Sequence, residues 1–204
     1  MPLEKTTIKL SEKEYLEGEF ISEIKHEYID GYIYAMAGAS ENHDLISGNI
    51  FREIGNHLKQ KKSQCNVFSS DMKVRISEAS ISFFYTDAMV ICDKHEQDDK
   101  YYKHSPVIIV EVLSESTRKH DLTTKKLYYQ NIPSLQEYVV IEQDICRIEV
   151  FRKSDDWRSM SYFLGDEIAF ESIDSTISVE DIYYHVDNQD VVKFLNKKEV
   201  EDNK

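Results

Sequence analysis

The chain has 204 residues, 41% of them hydrophobic, with 13 Tyr and 9 Phe to fill a core and only 3 Pro and 6 Gly. This excludes a low-complexity chain and fits a single domain over 1–204, with its core over about 10–185. A net charge of −13 excludes a protein that coats nucleic acid by charge alone, but not one with a local basic cleft. No apolar run is long enough to span a bilayer and no charged-then-apolar leader opens the sequence, so a cytoplasmic protein without a membrane partner is expected.

Ser11 with Glu14 three residues later is a capping box, which predicts a helix from about Ser11 to Phe20. Asp30-Gly31 between two alternating runs predicts a tight hairpin, with Glu27 on its first strand. Ser40 caps a helix over 41–62, whose apolar stripe is Leu45, Ile46, Ile50, Phe51, Ile54 and Leu58. His43 sits in its first turn, and its last turn is basic. Three strands are expected next: Cys65 to Ser69, a half-exposed Met72 to Ile76, and one long apolar strand from Ser82 to Ile91. An acidic loop, Asp93 to Lys100, leads to a buried strand at Pro106 to Leu113.

A helix is expected from about Lys119 to Gln130, closed before Pro133, then a strand at Glu137 to Ile141. Ile145 to Arg152 and Ser159 to Leu164 read as a meander, 179–184 as a short helix, and 188–204 as a charged tail, helical or frayed. The predicted fold class is α/β: a central mixed sheet flanked by helices, with an N-terminal helix and hairpin and extra C-terminal strands. Cys65, Cys92 and Cys146 are odd in number and widely spaced. They are read as small buried hydrophobes rather than a disulfide framework or a paired-Cys zinc site.

One residue breaks the pattern of the buried strand. Glu111 lies within Pro106-Val-Ile-Ile-Val-Glu-Val-Leu113. A carboxylate buried alone costs several kcal/mol or takes up a proton, so Glu111 needs a Lys, an Arg or a metal ion beside it. Asp87 repeats the anomaly in the strand before it. Two carboxylates on neighbouring core strands repel unless a cation lies between them, and a divalent metal with oxygen ligands fits. Ion pairs with Lys73 or Arg75 are the structural alternative.

Asp121, Lys125 and Tyr129 are spaced four apart and share a helix face. Lys125 either pairs with Asp121 at the surface or reaches the Glu111 site from the helix. His43 faces the same cleft or solvent. Glu27 and Asp71 are weaker candidates that surface or hairpin pairing would also explain. No Gly-rich nucleotide loop and no Gly-flanked nucleophilic Ser occurs.

Taken together, His26-Glu-Tyr-Ile-Asp-Gly31, His43, Ser70-Asp-Met-Lys-Val74, Tyr85-Thr-Asp87, Val110-Glu-Val-Leu-Ser114 with Ser116-Thr117, Asp121 with Lys125, and Pro133-Ser-Leu-Gln-Glu-Tyr138 resemble the Uma2 family of proposed endonucleases. The resemblance covers roughly 10–185 and implies a restriction-endonuclease-like fold of the PD-(D/E)XK superfamily. It implies that Asp87 and Glu111, with the Val112 backbone carbonyl, hold Mg²⁺ or Mn²⁺ for hydrolysis of a DNA phosphodiester. Thr86 stands where the motif has Pro, and Leu113 where it has Lys. The resemblance places that Lys at Lys125, with His43, Glu27, Asp121 and Tyr129 as accessory residues. A catalytically silent binding module of the same fold, a small-phosphodiester hydrolase and a homodimer remain open. Basic residues at Lys59, Lys61 and Lys62, at Lys73 and Arg75, and at Arg118, Lys119, Lys125 and Lys126 are expected to place some charge beside the cleft.

Overall fold

The structure is a computed structural model that describes residues 8–76, 81–93 and 100–202. Its local elements begin where the caps put them. Ser11 caps α1 (Glu12–Ile21), and the Glu14 carboxylate returns a bond to the Ser11 backbone at 2.7 Å. β1 (His26–Ile29) and β2 (Tyr32–Ala35) turn at Asp30 and Gly31, with φ of 53° and 93°. Two successive positive φ angles match the twist of a two-residue hairpin. Ser40 caps α2 (Glu41–Gln60), which buries Ile46, Ile50, Ile54 and Leu58 on one face.

The remaining strands are β3 (Asn66–Ser69), β4 (Lys73–Ile76), β5 (Ser82–Tyr85), β6 (Ala88–Ile91), β7 (Tyr102–Lys103), β8 (Pro106–Leu113), β9 (Glu137–Glu142), β10 (Ile148–Arg152), β11 (Ser159–Tyr162), β12 (Glu167–Phe170) and β13 (Ser175–Ser178). They form a five-stranded sheet in the order β2-β1-β5-β4-β7 and a six-stranded sheet in the order β11-β10-β9-β8-β6-β3. β12 and β13 pair as a separate hairpin. The fold is mixed α/β, as the pattern of elements predicts.

Strand period sorts the central strand β8 between two layers. Ile108, Val110 and Val112 pack in one cluster with Ile46, Ile50 and Ile54 of α2. Ile109 and Leu113 pack on the opposite face with Tyr129, Tyr138 and Val140. Glu111 shares the parity of Ile109 and Leu113, so it faces the helical layer that follows β8. That layer is α3 (Arg118–His120), a π-helical turn (Asp121–Lys125) and α4 (Lys126–Gln130). The chain ends in α5 (Val179–Ile182) and α6 (Gln189–Asp202). Among the described residues no helix is long and apolar enough to cross a membrane.

Several expectations need correction. The single strand over Ser82 to Ile91 is two strands in two sheets: β5 pairs with β1 and β4, whereas β6 pairs with β3 and β8. All eight residues of the two strands are buried, so hydropathy carries no sign of the break. β4 is mostly buried rather than half exposed, because β7 and β5 flank it. β7 and the β12–β13 hairpin were missed; of the two readings of the tail, helical or frayed, the helix holds over Gln189–Asp202. Cys65 and Cys92 are joined as a disulfide across the antiparallel pair β3–β6, since Asn66 opposite Ile91 sets them face to face. Only Cys146 is the free buried thiol expected of all three. Most of the acidic loop after Asp93 lies outside the described residues.

Candidate active site

The break between β5 and β6 makes the site. At Asp87 the chain leaves one sheet for the other, and the Asp87 N–H donates to the Val110 carbonyl at 3.1 Å. The Asp87 side chain then occupies the place of the missing strand. Its Oδ2 accepts from the Val112 N–H at 2.7 Å, a bond the ladder would otherwise supply. N–H and C=O of one strand residue point to the same side, so the Val112 carbonyl opens onto the same gap. His43, from the first turn of α2, brings Nε2 to 3.4 Å from Asp87 Oδ2. Burial lowers the His43 pKa, but the bond to Asp87, the Asp87 charge and a hydrogen bond to the Val112 backbone outweigh it, and the net shift is upward.

Glu111 lies one residue back on β8, on the other face. It is 3% exposed and its Oε1 accepts two bonds: from the Tyr129 hydroxyl at 2.7 Å and from Lys125 Nζ at 3.2 Å. Lys125, 4% exposed, also donates to the Tyr85 carbonyl at 3.2 Å. Its ammonium lies 2.8 Å from Glu27 Oε1 and 3.5 Å from Asp121 Oδ1. The two contacts are buried ion pairs. Both Asp121 oxygens are buried without a hydrogen bond. The second Glu27 oxygen lies 3.3 Å from His120 Nε2.

One ammonium therefore faces three buried carboxylates, with Asp87 close by. The consequences differ among the groups. Burial pushes the Glu111 carboxyl well up; Lys125 opposes this, while Asp121 and Asp87 add to it. Burial also raises Asp121, against Lys125. Burial would raise Glu27 too, but Lys125 and His120 more than offset it and hold that carboxyl below its ordinary range. For Lys125, burial favours the neutral amine, but Glu111 and Glu27 outweigh it and hold the charged form.

The expected residues thus fall into two adjoining groups. Lys125, Glu111, Glu27, Asp121 and Tyr129 meet directly; Asp87, His43 and the Val112 peptide meet in the gap beside them. The partners of Glu111 are not Lys73 or Arg75: Lys73 bonds the Tyr85 hydroxyl at 3.3 Å and Arg75 pairs with Glu12 at 2.6 Å. Asp71 pairs with Lys25 at 2.5 Å and joins neither group. The basic residues expected beside the cleft are largely engaged elsewhere: Lys61 with Asp174, Arg118 with Glu142, and Lys126 over the Phe151 ring. His120 and the Tyr85 carbonyl were missed; no spacing in the sequence ties either to Glu111.

The donor set suits a hard cation. The carboxylates outnumber the basic groups, and Asp87 adds to the cost of a charge on Glu111, which a divalent ion would relieve. Among the described residues no group of three or more His, Cys, Asp or Glu is arranged to hold a metal alone. Mg²⁺ does not require one, since it commonly takes one or two carboxylates and completes its shell with water and phosphate oxygens.

Fold and comparison agree on the class. A solved structure described as a "putative nuclease belonging to DUF820 from Anabaena variabilis ATCC 29413" superposes with a TM-score of 0.71 at 17% identity, over 86% of this chain and 97% of that one. The architecture is restriction-endonuclease-like. The family model described as "Uma2: Putative restriction endonuclease" matches residues 12–178, and the chain belongs to the Uma2 family. Two relatives from Synechocystis sp. (strain ATCC 27184 / PCC 6803 / Kazusa) carry the names uncharacterized protein slr1290 and uncharacterized protein sll1609. The first is 35% identical over 86% of this chain and 92% of its own length. The second is 38% identical over 74% of this chain and 85% of its own length. Family and fold support a nuclease function in general.

Proposed function

We propose that the chain is a Mg²⁺- or Mn²⁺-dependent endonuclease that hydrolyses phosphodiester bonds of DNA, with Asp87, Glu111 and the Val112 carbonyl as the residues that would hold the cation. The observation that carries this reading is the gap between the sheets. There the Asp87 side chain meets the Val112 peptide, and Glu111 adjoins them from the other face of β8 with a charged lysine bonded to it. A bound cation would supply Lewis acidity and a more acidic water.

The protein's own groups would do the rest. Lys125 keeps its proton and places a fixed positive charge beside the reacting phosphate, where negative charge grows in the transition state. The Val112 N–H and His43 hold Asp87 in place through one oxygen. The buried Tyr129 keeps water from the back of Glu111.

The test is nicking of supercoiled plasmid with Mg²⁺ or Mn²⁺, with and without chelator. Wild type is expected to nick, chelator to stop it, and Asp87→Asn to lose at least about 100-fold. A wild type inert with both metals on double- and single-stranded DNA would sink this reading. The charge of −13 and the engaged basic side chains favour a second reading. On that reading the fold is a silent binding module, or acts on a small phosphodiester that needs no basic groove. Hydrolysis of a model phosphodiester without DNA cleavage separates the last case.

A further inference from the structure

We propose that Tyr129 is a positioning residue for Glu111, fixing which carboxylate oxygen is turned to the cation; the inference rests on the metal-dependent reading above. Two donors converge on a single oxygen. The Tyr129 hydroxyl reaches Glu111 Oε1 at 2.7 Å and Lys125 Nζ reaches the same atom at 3.2 Å. Together they fill the two lone-pair directions of Oε1. Glu111 can then offer a cation only its other oxygen, as a one-oxygen ligand.

The tyrosine is built to hold that position. It is fully buried, and its ring stands edge-on to Phe84 at 5.6 Å and to Tyr138 at 5.3 Å. A ring fixed by two others leaves its hydroxyl one place to be. The arrangement matches the general device in which a buried donor orients a carboxylate that binds metal. Tyr138 provides the comparison. It is equally buried, but its hydroxyl donates to the Asp121 carbonyl at 3.1 Å rather than to Glu111.

The experiment measures Mn²⁺ affinity by calorimetry for wild type, Tyr129→Phe, Tyr138→Phe and Asp87→Asn, with urea unfolding of each. Tyr129→Phe keeps the ring and is expected to weaken Mn²⁺ about 10- to 100-fold. Tyr138→Phe is expected to bind as wild type does, although both lose a buried hydrogen bond and stability to a similar degree. If Tyr129→Phe binds like wild type while Asp87→Asn does not, the positioning role is overturned and the metal site stands. If wild type binds no Mn²⁺, the metal-dependent reading fails instead. A metal-free readout keeps the two apart. In crystals of Tyr129→Phe the Glu111 carboxylate is expected to occupy more than one rotamer, and a single rotamer unchanged from wild type would overturn the proposal.

Discussion

Lys125 and Lys126 are neighbours with opposite surroundings. Lys125 is buried among Glu27, Glu111 and Asp121; the Lys126 ammonium sits 3.7 Å from the centre of the Phe151 ring. Lys125→Ala is expected to abolish cleavage, because it removes the fixed positive charge proposed to stand beside the reacting phosphate. Lys126→Ala is expected to cleave normally and to lose only the cation–π contact, about 0.5–1 kcal/mol, in urea unfolding. Equal loss of cleavage in both variants would refute the assignment of Lys125.

Glu27 tests the electrostatics. Its carboxyl is held below the ordinary range in the folded protein, so its contribution to stability is full above its unfolded pKa and fades as pH falls through the folded value. Glu27→Gln is therefore expected to cost about 1–3 kcal/mol at pH 7, less than a fully broken buried pair because Glu111 and Asp121 still face Lys125. The deficit should shrink below about pH 4. A deficit that stays constant between pH 7 and pH 3 would mean that Glu27 contributes by packing alone. Glu111 and Asp87 were legible in the sequence because a charge in an apolar run is an anomaly. His120 was not, because a histidine beside charged residues on a helix looks like any exposed histidine.

At the scale of elements, caps and turns were the readable part. Ser11, Asp30-Gly31 and Ser40 act through neighbours a few residues away, so their signal is complete in the sequence. The division of Ser82 to Ile91 between two sheets depends on partners far along the chain. The π-helical turn over Asp121–Lys125 was equally hidden. There the Lys126 N–H reaches the Asp121 carbonyl five residues back, which widens the helix where Asp121 and Lys125 turn inward. Such turns recur at functional sites because they re-aim side chains without ending the helix.

For the whole molecule, the cysteines change the picture of stability. The Cys65–Cys92 bond spans 27 positions and ties β3, at the edge of its sheet, to β6. Loop-closure arguments put its contribution at about 3.5 kcal/mol. Non-reducing peptide mapping is expected to recover that pair, and a reductant to lower the midpoint of urea unfolding. Burial pushes the Cys146 thiol up to about 11, so iodoacetamide at pH 8 should label it only after unfolding. Labelling of Cys146 in the native protein would show that the thiol is not buried in the folded state.

The lysine at the junction of the two sheets has a consequence for the order of events during folding. Glu27 comes from the five-stranded sheet, Glu111 from the six-stranded one, and Lys125 from the helical layer laid down after β8. No one of these units holds a complete site. A nascent or partly folded chain would therefore carry the chemistry only as scattered pieces, and the ability to cut would arrive with the last docking step. On the function proposed above, such a chain would leave nucleic acid uncut until its folding is complete.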